Sequence, residues 1–410
     1  MITGKSLFYS LTVLLVFHVF NVQGLVVPDL SKHSNSTSSK RVYSLGFSIR
    51  KLSSKKDNAT ANSPNSGLIS GSSPEVAVTI QDKWAYITNL YVGSDQQEAE
   101  VEIDTGSSDL WIRSQSAGGS YNPSSSSTFK QTNNTFDAYY FDDSYAKGKW
   151  AYENVALAKD APTVKGLQFG YATDVTTSNN IFGIGFKNLE STVYGGNGAV
   201  YNNFPAALKA QGLVNKNAYS LYLNSQEATE GTLIFGGVDK AKYDGPLVEF
   251  DLTGKANRNR DNYRMDITLD SVSSEGQTGT LNAPVTLDSG TTYTILNQDI
   301  YNAMSKIFKP QYSSKYQVDI ISCDQPDKEV EFKFGDLVIK VPYSDFADQL
   351  YQNGQTKIDG VCVFALSSTN DEYILGDNFL RHAYVVYDLE DRKISMAQVK
   401  YTSESDIQEL

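Results

Sequence analysis

The feature that most limits how this chain of 410 residues can fold is a long-range repeat. The stretch EIDTGSSDLW, residues 102–111, returns around Asp288 as TLDSGTTYTI. In each copy an acidic residue sits in a strand-like apolar run that breaks at glycine. Each copy is followed by an apolar-apolar-glycine element, Ile181-Phe182-Gly183 and Ile374-Leu375-Gly376. A carboxylate inside an apolar strand is costly unless it is paired or hydrogen-bonded. One Asp-Thr-Gly alone reads as a tight turn, because Asp and Gly are common turn residues. Two copies, each with its own partner element, predict two equivalent lobes that bring one aspartate each to their interface.

The residues around each aspartate suit that purpose. Gly106 and Gly290 permit close backbone approach, so loop amides can point at the carboxylates. Ser107 and Thr291 can donate to the outer oxygens, and Thr105 and Ser289 can tie the two loops together. Two carboxylates within hydrogen-bonding distance do not both ionise easily, so one keeps a proton while the other stays anionic. Such a pair can draw a proton from a water held between them and give one to a carbonyl oxygen. That is general acid–base amide hydrolysis, with no metal and no covalent intermediate.

The rest of the chain narrows the alternatives. Its 26 Tyr and 19 Phe stand among many Ser, Thr and Gly, and from Val76 short β-type runs such as VAVTI, WAYITNLYV and AEVEI alternate with turn residues. The class is mainly β. Two helices are predicted, at NFPAALKAQGL and at NQDIYNAMSKIF, the second capped by Asn297 and stopped by Pro310. The net charge of −12 excludes a nucleic-acid binder that needs a basic face. Residues 25–57 nevertheless carry seven Lys and Arg against two Asp, so a basic leader precedes an acidic body.

The N-terminus reads as a signal peptide over 1–24, with Lys5 ahead of an apolar run from Leu7 to Phe20. A membrane anchor is the competing reading, but the run is shorter than the roughly 20 residues that span a bilayer. Residues 25–72 read as a propeptide and flexible linker outside the core, with dibasic pairs at Lys40-Arg41 and Lys55-Lys56. The lobes are expected at 73–245 and 246–410. Asn35, Asn58 and Asn133 head glycosylation sequons. Cys323 and Cys362 most simply form one disulfide. His18 and His33 fall in the signal and leader, so a cysteine or serine nucleophile, or a zinc site, would depend on His382 alone. No cofactor or metal is expected.

An ordered set of motifs carries a resemblance: DTGSSDLW, YNPSSSSTFK (121–130), IFGIGF (181–186), GTLIFGGVDKAKYDGPL (231–247), DSGTT (288–292), ILGDNFLR (374–381) and YVVYDLEDRKISMA (384–397). From about Ser73 to Lys400 the chain resembles the bilobal pepsin-like aspartic proteases, most closely the secreted aspartic proteases of yeasts, the candidapepsins. The resemblance implies two pseudo-equivalent β-rich lobes, with Asp104 and Asp288 as catalytic dyad between them. It implies an endopeptidase acting on peptides and proteins at acidic pH. The enzyme would be secreted or held at the cell wall, monomeric, and made as a zymogen with its own propeptide, matured in acid or by a dibasic-specific protease. A catalytically silent binding protein is the runner-up, and a carboxylate-pair glycosidase is a third, unsupported reading.

By the same resemblance Tyr140 belongs to a flap over the cleft, Trp111 supports it, and Asp142 and Thr292 meet substrate. Phe141 and Asp143 replace the two flap glycines, which predicts a stiffened or reshaped tip. The usual cysteine pair of the first lobe is missing around SQSAGGSYN. Glu102 is the sharpest departure, because related enzymes carry an apolar residue there, in the pocket before the scissile bond. Strand residues two apart share a face, so Glu102 is expected to line the cleft with Asp104 and to favour Lys or Arg in that pocket. The competing reading turns it to solvent or onto a neighbouring backbone amide.

Overall fold

Alternation of apolar and polar residues builds most of this protein, as in Glu329–Phe334, which buries Val330, Phe332 and Phe334 and exposes Glu329, Glu331 and Lys333. A computed structural model describes residues 41–53, 82–140, 143–177, 179–194, 199–253, 264–352 and 356–410. The expected signal peptide, Asn35, Asn58, Phe141 and Asp142 lie outside the described residues. Among those described, no helix is long and apolar enough to cross a membrane.

A 13-stranded sheet starts at Val248–Asp251 and passes through Lys393–Gln398, Ala383–Asp388, Ala218–Tyr222 and Glu230–Phe235. It continues through Tyr43–Ser53, Asp82–Val92, Gln97–Asp104, Asn180–Gly183 and Leu110–Arg113. It ends with Thr163–Val175, Tyr145–Ala156 and the edge strand Lys130–Tyr139. A seven-stranded sheet contains Asp266–Ser274, Gln277–Leu287, Ile374–Leu375 and Thr294–Leu296. The fold is the bilobal, mainly β architecture anticipated from the repeat, and both predicted helices form, as Phe204–Ala210 and Gln298–Phe308. Asn297 caps the second, its side chain accepting from the Ile300 amide at 3.0 Å.

The repeat is visible in the strand pairing. Gln97–Asp104 runs parallel to Asn180–Gly183, with Asp104 opposite Gly183, and Leu110–Arg113 returns antiparallel to the same strand. In the second copy Gln277–Leu287 runs parallel to Ile374–Leu375, and Thr294–Leu296 returns antiparallel to it. Each apolar-apolar-glycine element therefore lies between the outgoing and returning strands of its own aspartate loop, which fixes the loop from both sides.

One expectation is corrected. Tyr43–Ser53, placed in a flexible linker outside the core, is a strand of the large sheet, paired antiparallel with Glu230–Phe235 and with Asp82–Val92. Leu45 and Phe47 are buried, and the Phe47 ring meets Tyr86 edge-on at 5.5 Å opposite Gly231. Burying two such side chains contributes about 1.5–3 kcal/mol each. Across the expected lobe boundary at 245/246, Val248–Asp251, Ala383–Asp388 and Lys393–Gln398 join strands of the first half in the large sheet.

Candidate active site

Asp104 is the last residue of a strand whose final four residues are all buried, and Asp288 directly follows the buried end of Gln277–Leu287. The loops after them interlock. Thr105 Oγ1 donates to the Leu287 carbonyl at 2.9 Å and accepts from the Ser289 amide at 2.9 Å. Reciprocally, Ser289 Oγ donates to the Ile103 carbonyl at 3.1 Å and accepts from the Thr105 amide at 3.2 Å. Thr105 and Ser289 are fully buried, so these four bonds replace contacts with water that neither loop could otherwise make.

Each carboxylate receives two donors in the same pattern. The Gly106 amide donates to Asp104 Oδ1 at 2.8 Å, and Ser107 Oγ donates to Oδ2. The Gly290 amide donates to Asp288 Oδ1 at 2.8 Å, and Thr291 Oγ1 donates to Oδ2 at 2.7 Å. The glycines cross over: a methyl group on Gly106 would stand 2.5 Å from Asp288 Oδ1, and one on Gly290 would stand 2.7 Å from Asp104 Oδ1. Any side chain at either position would occupy the space that the opposite carboxylate needs.

Tyr140 closes the first strand of a hairpin, and Trp111 Nε1 donates to its hydroxyl at 2.5 Å. Burial first, then the negative charge of Asp104, push the Tyr140 hydroxyl well above its ordinary range, against the Trp111 bond, so it stays neutral. Trp111 itself is fully buried, and its indole nitrogen holds Tyr140, the supporting part that the resemblance implies. The replacement at Asp143 does not prevent the turn. Asp143 adopts the left-handed conformation at φ 63°, its amide donating to the Tyr140 carbonyl at 3.1 Å, and Asp tolerates that region better than most residues. The hydroxyl of Thr292 is buried without a hydrogen-bond partner among the described residues.

Glu102 does not turn to solvent. It is buried, and Asn179 Nδ2 donates to its Oε2 at 2.9 Å. Its charge is felt by Tyr140 alongside that of Asp104, so the two acids lie toward the same hairpin.

The sequence argument missed a second layer behind the Asp104 loop. Asp109 accepts from the Ser191 amide at 2.8 Å, from Ser191 Oγ at 2.5 Å and from the Tyr201 hydroxyl at 2.6 Å. Asn203 Nδ2 donates to the carbonyls of Ser108 and Gly185. Asp109 belongs to the same DTGSSD run as Asp104, and a second acid within an otherwise uncharged loop was the available signal. His382, the one imidazole open to catalysis by sequence, lies buried against Asp345 at 3.2 Å, beside Arg381 and Tyr401. Cys323 and Cys362 form a disulfide that joins the end of Val318–Ser322 to the neighbouring strand Thr356–Phe364. Asn133 is exposed on the edge strand Lys130–Tyr139, where the pairing register shifts.

Comparison with known proteins adds the following. The family described as "Eukaryotic aspartyl protease" matches residues 85–399. The chain is 34% identical to "Acid protease" of Saccharomycopsis fibuligera over 92% of its own length and 97% of that protein. It is 37% identical to "Candidapepsin" of Candida tropicalis over 97% of its length and 96% of the relative. It is 39% identical to "Secreted aspartic protease 5" of Candida albicans over 81% and 80%. Among solved structures it is similar in fold to an aspartic proteinase from Irpex lacteus, with TM-score 0.67 and 16% identity, covering 88% of this chain and 98% of the other.

Proposed function

The chain belongs to the eukaryotic aspartyl protease family, and from that premise we propose that Asp104 and Asp288 are its catalytic pair. It is an aspartic-type endopeptidase. The observation that carries the assignment is the reciprocal locking of the two aspartate loops, each carboxylate facing the glycine of the other. One carboxylate takes a proton from a water held between them while the other, protonated, gives its proton to the peptide carbonyl oxygen. The resulting tetrahedral carbon loses its amine once the nitrogen is protonated, and the pair returns to its single-proton state. Because one acid must hold a proton, the reaction belongs to acidic pH. The test is hydrolysis of a denatured protein at about pH 3 to 6, which the parent performs and Asp104→Asn does not; equal rates in the two contradict the assignment.

Secretion is proposed from the basic, apolar N-terminus, and several relatives are named secreted aspartic proteases. The zymogen reading is supported by the strand Tyr43–Ser53, which fills a place in the sheet and pairs Arg50 with Glu100 at 2.7 Å, a basic leader residue on an acidic body. Both partners are half exposed, so that ion pair alone contributes little. Peptide and protein substrates, the leader itself and a processing protease are the proposed partners. Asn133 is the proposed glycan acceptor among the described residues. Glu102, buried beside the hairpin of Tyr140, is proposed to favour Lys or Arg before the scissile bond, and peptide-library profiling of Glu102→Val tests it.

A further inference from the structure

Glu190 lies at zero exposure at the end of the turn Lys187–Leu189, which follows Gly183. One carboxyl oxygen accepts from the Tyr201 amide at 2.8 Å. The other makes no hydrogen bond among the described residues. Among the described residues, the charged and titratable groups that act on it are Asp109 on the loop, itself pushed up by burial, Lys187 on its own turn, and Tyr201. An acid so placed cannot easily carry a charge beside Asp109.

What Glu190 holds is mechanically connected to both ends of the site. Its partner Tyr201 donates through its hydroxyl to Asp109, and its ring meets Trp150 at 5.4 Å in the aromatic cluster that contains Trp111 and supports Tyr140. Two residues further on, Asn203 clamps the Ser108 and Gly185 carbonyls. The turn also takes up the loop directly, with the Ile184 amide on the Asp104 carbonyl and the Gly185 amide on the Ser107 carbonyl.

We propose that Glu190 is a positioning residue whose protonated carboxyl keeps residues 201–203 against the back of the Asp104 loop. Its ionisation sets the pH above which residues 201–203 leave the Asp104 loop. The inference rests on the assignment of Asp104 and Asp288 for its link to catalysis, but not for its structural readout. Burial first, with the charge of Asp109 adding to it, pushes Glu190 up to about 9, against the opposing Tyr201 and Asn203 amides and Lys187. A carboxyl raised above its unfolded value contributes its full stability only below that unfolded value. The contribution is lost steadily as pH rises from the ordinary carboxylate range toward the raised one.

The experiment uses the full-length parent and Glu190→Gln, which keeps the shape of the neutral acid without its proton. Each is held at steps from about pH 4 to pH 9 while tryptophan emission is read, since Trp111 and Trp150 both lie in the affected cluster. Each is then returned to pH 4, and hydrolysis is scored against its own starting value. The expected result is that both midpoints rise in Glu190→Gln by about one pH unit or more. Asp109→Asn, which removes the facing charge, should raise them by less. Midpoints equal to the parent's in Glu190→Gln overturn the proposal. If that variant does not fold at pH 4, an unmoved Asp109→Asn overturns it instead. A parent that shows no hydrolysis even at its starting pH would count against the proposed function alone, because the emission midpoint still decides the role of Glu190.

Discussion

A buried carboxylate in an apolar strand persists only where donors and partners surround it, and this chain contains such residues with different solutions. Asp104 and Asp288 each take one amide and one hydroxyl from their own loop, all within three residues, so their environment was legible from sequence. Glu102 takes its donor from Asn179, far along the chain, and Glu190 from the Tyr201 amide. Those partners come from tertiary contacts, which local spacing cannot report. Strand alternation expects Glu102 on the face of Asp104 but could not foresee its partner, the Asn179 side chain. If the ionised Glu102 selects a cation, Glu102→Val should lower the preference for Lys and Arg over Leu and Phe before the scissile bond by about tenfold or more, the ~1.4 kcal/mol scale of a charge-assisted hydrogen bond. A cleavage profile identical to the parent's removes Glu102 from specificity.

At the scale of elements, the strand Tyr43–Ser53 was hidden by its surroundings. Ser- and Lys-rich flanks gave the whole leader a linker's composition, yet Leu45, Phe47 and Ile49 recur at every second position, the period of a half-buried strand. The partner strand accommodates it through Gly231, where a methyl group would stand 2.3 Å from the Phe47 ring. Deleting such a buried ring costs about 3–5 kcal/mol. In Phe47→Ala that loss should fall on the docking of this strand, and the full-length chain should mature faster at about pH 5, followed by gel mobility over time. An unchanged maturation rate would mean that strand release does not limit activation. At the hairpin of Tyr140, Phe141 and Asp143 in place of glycines predicted a stiffened or reshaped tip, and Asp143 itself adopts the left-handed geometry.

At the scale of the molecule, the duplicated aspartate loops determine the layout. Two lobes, two parallel strand pairs and one shared interface follow from a repeat visible in the sequence, because each copy is a local unit. The large sheet that unites the halves was not legible. Its pairing of Ala218–Tyr222 with Ala383–Asp388 joins segments more than a hundred residues apart, and register between distant strands leaves no local trace. The central claim is that both lobes contribute one acid to a single proton-sharing pair. It is tested most directly by Asp288→Asn, assayed on a denatured protein at about pH 3 to 6 beside the parent, with thermal unfolding followed to establish that the variant is folded. A folded variant with hydrolysis reduced by several orders of magnitude is the predicted result; a folded variant as active as the parent would contradict the account.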